Sequence, residues 1–155
     1  MVMFQDATVD FVRRTKANLT IIRTRPLEEG EERYEATQLI NSMLGLLVMP
    51  QQTDIIETGR YLIRDLAESG WVFPRPARGY YNPGDLTALL RLMRNGIAHW
   101  GLNFEEQNGN LHSVMFKNTD TETNKVTWRA RMTLNELASF VEKLSKLVLN
   151  IVERN

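Results

Sequence analysis

Cysteine is absent from this chain, which excludes a disulfide framework, a thiol nucleophile and a Cys-ligated zinc site. An excess of charge is missing too: 19 Lys and Arg stand against 19 Asp and Glu. The chain as a whole is therefore not drawn to nucleic acid, and any such contact requires a local basic patch. No run approaches the roughly 20 apolar residues that cross a bilayer. The start, Met1-Val2-Met3-Phe4-Gln5-Asp6, has neither the basic region nor the apolar run of a signal peptide. These absences predict a soluble, cytoplasmic protein that does not engage a membrane. There is no Gly-x-x-x-x-Gly-Lys-Ser/Thr phosphate loop, no Gly-x-Ser-x-Gly elbow and no His-Glu-x-x-His, which argues against NTPase, esterase and zinc-protease chemistry. No repeat, low-complexity tract or linker interrupts the 155 residues, an ordinary size for one domain with one core. A single domain over residues 1–155 is expected.

What is present is helical periodicity, with one break. Phe4, Phe11, Val12, Thr15, Leu19 and Ile22 recur at helical spacing and predict a first amphipathic helix. The stretch Pro26 to Glu32 breaks it with proline, glycine and acid. From Tyr34 to Val48 apolar residues cover more than one face, predicting a central helix that Pro50 ends. A third helix is expected between Thr53 and Gly70, weakened by Gly59. The segment Trp71 to Gly84 is rich in proline and glycine and holds Trp71, Phe73, Tyr80 and Tyr81. These aromatics either stack bases or anchor a long loop to the core. Asn82-Pro83 reads as N-cap and first position of a fourth helix, with Asp85 in its first turn. Beyond Leu102 the period changes. Leu111 to Phe116 and Lys125 to Met132 alternate like strands and predict a β-hairpin. Thr133-Leu134-Asn135-Glu136 has the form of a capping box, and Leu137, Phe140, Val141, Leu144, Leu147, Val148 and Ile151 follow on a final amphipathic helix.

The fourth helix ends in Arg94-Asn95-Gly96-Ile97-Ala98-His99, an arginine, an amide and an imidazole within six residues. Imidazole moves protons near neutral pH, and guanidinium holds phosphate oxygens through a planar fork of donors. At about 100° per residue, Leu86, Leu89, Leu90, Met93 and Ile97 form the core stripe. Asn95 and His99 then lie on the far side, Arg94 at the flank, and Arg91 between Arg94 and Asn95. Gly96, inside a helix, either admits a close backbone or phosphate or marks fraying. The other histidine, His112, begins a predicted strand and has no acid at ligand spacing, so it reads as an exposed residue and not as a metal ligand.

Arg94-Asn95-Gly96-Ile97-Ala98-His99 resembles the signature of the HEPN superfamily, an arginine and a polar residue followed by histidine. The segment from Glu35 to Pro50 is similar to small bacterial and plasmid-encoded HEPN nucleases. The resemblance implies a mainly α fold, an up-and-down bundle of about five helices with a β-hairpin inserted before the last. It also implies a homodimeric, metal-independent endoribonuclease, without cofactor, in a defence or toxin-like role and subject to a neutralising protein partner. Arg94, Asn95 and His99 would be catalytic, while Arg91, Tyr80 and Tyr81 would bind RNA. A non-catalytic RNA- or protein-binding dimerisation module is the alternative.

Overall fold

The computed structural model describes residues 2–29, 35–52 and 55–154. Gly30 to Tyr34, which include the end of the acidic turn, and Thr53 lie outside these residues. Five helices and four strands occur among them: α1 (Val2–Thr24), α2 (Glu35–Gln52), α3 (Ile63–Glu68), β1 (Arg75–Pro76), α4 (Leu86–Ala98), β2 (Leu102–Gln107), β3 (Asn110–Thr119), β4 (Val126–Thr133) and α5 (Leu134–Arg154). They fall into two compact units, Met1–Ile55 with Val141–Asn155, and Ile56–Phe140.

In the first unit α1 packs against α2, and Val12, Leu39, Met43, Leu46, Val141, Leu144 and Val148 are buried. Gly45 lies under the Phe11 ring, where an added Cβ would collide with it. Helix α2 runs two residues past Pro50 instead of stopping there. Proline forfeits its own N–H and crowds a carbonyl one turn back, and this close to the terminus the last residues remain helical.

The second unit carries the main correction. The expected mainly α bundle with only a hairpin is not the fold. A four-stranded antiparallel sheet in the order β1-β4-β3-β2 stands there instead. The expected hairpin is its centre: β3 and β4 pair with Val114 opposite Met132 and Phe116 opposite Ala130. These four side chains and Trp128 are fully buried. Strand β2 joins β3 through the tight turn Asn108-Gly109, both residues at positive φ (54° and 78°), as a two-residue hairpin requires. On the other edge, β1 pairs Arg75 with Arg131 and Pro76 with Ala130. Helix α4 packs against β3.

Two helix starts also differ from expectation. The third helix is confined to Ile63–Glu68, because Gly59 sits at φ +76° in a turn over residues 58–60 and Leu62, which follows, is extended and bridged to Asp85. The N-cap of α4 is Asp85, not Asn82: its Oδ1 accepts from Ala88 N at 2.7 Å and its Oδ2 from Gly59 N at 3.1 Å. An aspartate that caps the helix and also ties down a preceding loop outcompetes the Asn-Pro signal.

The capping box forms as read. Glu136 N donates to Thr133 Oγ1 at 3.2 Å and Thr133 N to Glu136 Oε2 at 2.8 Å. Glu136 also accepts two bonds from the Arg75 guanidinium, at 2.6 and 3.1 Å, so one carboxylate starts α5 and holds the edge strand β1. That pairing keeps the Glu136 carboxyl below the usual carboxylate range.

Candidate functional site

The candidate site lies at the carboxyl end of α4, within the second unit. Its inner side is set by Leu86, Leu89, Leu90, Leu92, Met93 and Gly96, all buried. That arc is wider than the stripe expected from the wheel, and Ile97 is only half-buried. The addition of Leu92 and Gly96 follows from a sheet lying against the helix: a Cβ on Gly96 would stand 3.2 Å from the Lys117 carbonyl oxygen of β3. Gly96 therefore serves a close backbone approach. Gly101, just beyond the helix, fits still more tightly. An added Cβ there would overlap the Lys117 carbonyl oxygen, while Lys117 N donates to Gly101 O at 2.7 Å.

The polar residues occupy the remaining arc. Arg91 is exposed, and Arg94 and Asn95 are half-buried. Arg94 Nη2 donates to Asn95 Oδ1 at 3.3 Å, so amide and guanidinium are joined as a pair. His99 is the C-cap residue and not part of the last turn. Its backbone N donates to Asn95 O at 3.0 Å, which fixes its position, and its side chain is exposed with no hydrogen-bond partner among the described residues. Thus Arg94 and Asn95 are joined within α4, and His99 follows at its end with an exposed imidazole. The carbonyl end of a helix carries partial negative charge, so affinity for an anion here must come from the side chains.

The RNA-binding candidates are placed less tightly. Tyr81 is 56% exposed and Tyr80 half-buried. Neither is joined to the α4 motif by a hydrogen bond or ring contact among the described residues. Trp71 and Phe73 are anchors: they stack with centroids 5.9 Å apart, and both meet Phe140 edge-on at 5.7 and 6.0 Å. His112 is an exposed strand residue. No group of three or more metal-ligating side chains occurs among the described residues, and no helix there is long and apolar enough to cross a membrane.

Trp100 adds an exposed aromatic ring at the end of α4. It follows His99 directly, is 94% exposed, and adopts φ 56°, a left-handed conformation that costs an L-residue roughly 1–2 kcal/mol. The hydrogen bonds around it, Trp100 N to Ile97 O at 3.3 Å and Gly101 N to Gly96 O at 2.6 Å, close the helix in the Schellman pattern, whose left-handed position usually holds glycine. A tryptophan where glycine is expected, with glycine one place later, was the signal available in the sequence.

Comparison with curated proteins and with solved structures finds no match. A family model described as HEPN pEK499 p136 matches residues 1–155. Because that match takes in every residue, the Arg94 to His99 turn included, the chain belongs to this HEPN family.

Proposed function

We propose that the chain, acting as one HEPN-like domain over residues 1–155, is a homodimeric endoribonuclease that needs no metal. The observation that carries this reading is the exposed His99 imidazole at the end of α4, without a hydrogen-bond partner among the described residues and following the bonded pair of Arg94 and Asn95. HEPN membership supports it.

In the proposed reaction a His99 imidazole takes the proton of a ribose 2′-hydroxyl. The freed oxygen attacks the adjacent phosphorus, and the bond from phosphorus to the 5′-oxygen breaks. The leaving oxygen must receive a proton. One imidazole per chain supplies the base alone, and a two-fold contact between α4 ends supplies the acid from a second copy. Arg94 neutralises the charge gathering on the phosphorane, and Asn95 holds the guanidinium in place through its Oδ1. Arg91 and Tyr81, both exposed, extend the contact along the strand together with Tyr80. A defence or toxin-like role with a neutralising protein partner goes with this reading.

The test is cleavage of a panel of RNAs by purified protein in EDTA. His99→Ala is expected to reduce the rate at least a hundredfold, the usual worth of a positioned proton-transfer group. Arg94→Ala should lose about as much. Equal cleavage by His99→Ala and wild type would sink the reading, and intact RNA bound in a salt-sensitive way would favour the non-catalytic module.

A further inference from the structure

We infer that Trp100 is a stacking platform for an unpaired base of the RNA strand whose phosphate lies against Arg94 and His99; this rests on the ribonuclease reading above. Three observations converge on it. First, 94% of the residue is exposed, so the indole does not serve the fold as a core side chain. Secondly, its φ of 56° is one that bulky residues avoid. Among the described residues, the other non-glycine residues in this region are Asn108 and Asn124, a type that tolerates it. A residue that contributes no burial and strains its own backbone is kept for what its side chain does elsewhere. Thirdly, the charged side chains of the helix that it closes are basic: Arg91 is exposed and Arg94 half-exposed on α4, and His99 precedes Trp100 directly.

An aromatic face beside basic side chains is the pattern that binds single-stranded nucleic acid, where charge holds the backbone and the ring receives a base. A protein partner would also accept an exposed tryptophan. The surrounding charge favours RNA, because no carboxylate side chain lies in the segment from Leu86 to Phe104. The ring would hold the base on one side of the scissile phosphate, and this restricts which phosphate reaches His99. Purines stack more strongly than pyrimidines, so a purine at that position is preferred.

The position also allows an unusual test. Glycine relieves the strain of the left-handed backbone, so Trp100→Gly should raise the melting temperature by about 2 to 4 °C, given roughly 1 kcal/mol of relief in a chain of this size. A merely structural tryptophan would give a lower one. In the His99→Ala background, which prevents cleavage, fluorescein-labelled oligoadenosine should bind about tenfold more weakly to Trp100→Gly than to Trp100 protein. Trp100→Phe should retain most of the affinity. Oligouridine should lose less than oligoadenosine. Loss of RNA affinity with a raised melting temperature and an unchanged dimer supports the inference. If wild type binds and cleaves RNA but Trp100→Gly binds it equally well, the stacking role is overturned and the ribonuclease reading stands. If Trp100→Gly becomes monomeric, the residue is a contact to a second copy and the inference is wrong. If wild type neither binds nor cleaves RNA, the ribonuclease reading fails and the stacking role falls with it.

Discussion

Gly101 and Gly96 address the same carbonyl oxygen, that of Lys117, yet alanine should act differently at the two positions. At Gly96 the added Cβ would stand 3.2 Å from that oxygen, a contact relieved by a few tenths of an ångström. The substitution also gains up to about 1 kcal/mol of helix propensity, so the expected net change is within about 1 kcal/mol. At Gly101 the Cβ would overlap the oxygen, and both partners are backbone. Relief there means breaking the bond from Lys117 N to Gly101 O and releasing the turn that places His99. Gly101→Ala should cost more than about 2 kcal/mol, as overpacking does when nothing can rotate away. Urea denaturation of the two variants checks this, and equal midpoints would show that the turn is not pinned by Lys117. The chemical content of Arg94, Asn95 and His99 was legible in the sequence because helical geometry is local. The role of Gly101 was not, because its cause is Lys117, on a strand further along the chain, and no local pattern reveals what a glycine faces.

Among the elements, the edges of the sheet were hidden and its centre was plain. Strands β3 and β4 alternate because one face is buried, with Trp128, Ala130 and Met132 inward. Strand β2 is an edge whose Asn103, Glu106 and Gln107 are exposed and whose register shifts between Glu105 and Glu106. Charge and irregularity protect an edge from unwanted pairing and erase the alternation by which a strand is read. Asn108-Gly109 was the remaining clue. The other edge, β1, is two residues long and is secured by the bonds from Arg75 to Glu136. That clamp is testable. Glu136→Gln keeps a capping side chain but removes the charge, and should cost about 1 kcal/mol at neutral pH. Glu136→Ala removes the cap too and should cost about 2 kcal/mol. Since Arg75 holds the folded-state pKa of Glu136 down, the stabilisation is complete above the unfolded carboxylate value of about 4.3 and disappears as the pH falls through the folded value. Wild type and Glu136→Gln should therefore converge in urea stability in acid and diverge near neutrality. A constant gap across that range would place the Glu136 contribution outside its charge.

For the whole molecule, the proposed chemistry sets a stoichiometry. If the acid and the base of one cleft are the His99 imidazoles of two copies, a dimer with a single wild-type chain lacks one proton-transfer group and should be as impaired as one with none. When His99→Ala protein is allowed to exchange subunits with wild type at fixed total concentration, activity should then fall as the square of the wild-type fraction. If each protomer instead cleaves alone, with water as the second proton carrier, activity should fall in direct proportion. The distinction requires full exchange, which fluorescence transfer between differently labelled copies would establish, and a dimer that persists at assay concentration. Arg94→Ala offers an internal contrast. A charge-stabilising group need not be present twice, since one guanidinium can offset much of the phosphorane charge, so mixing Arg94→Ala with wild type should give a decline shallower than the square. A squared loss for His99 beside a shallower loss for Arg94 would match the roles proposed for the two residues, and a linear loss for both would remove the second copy from the chemistry.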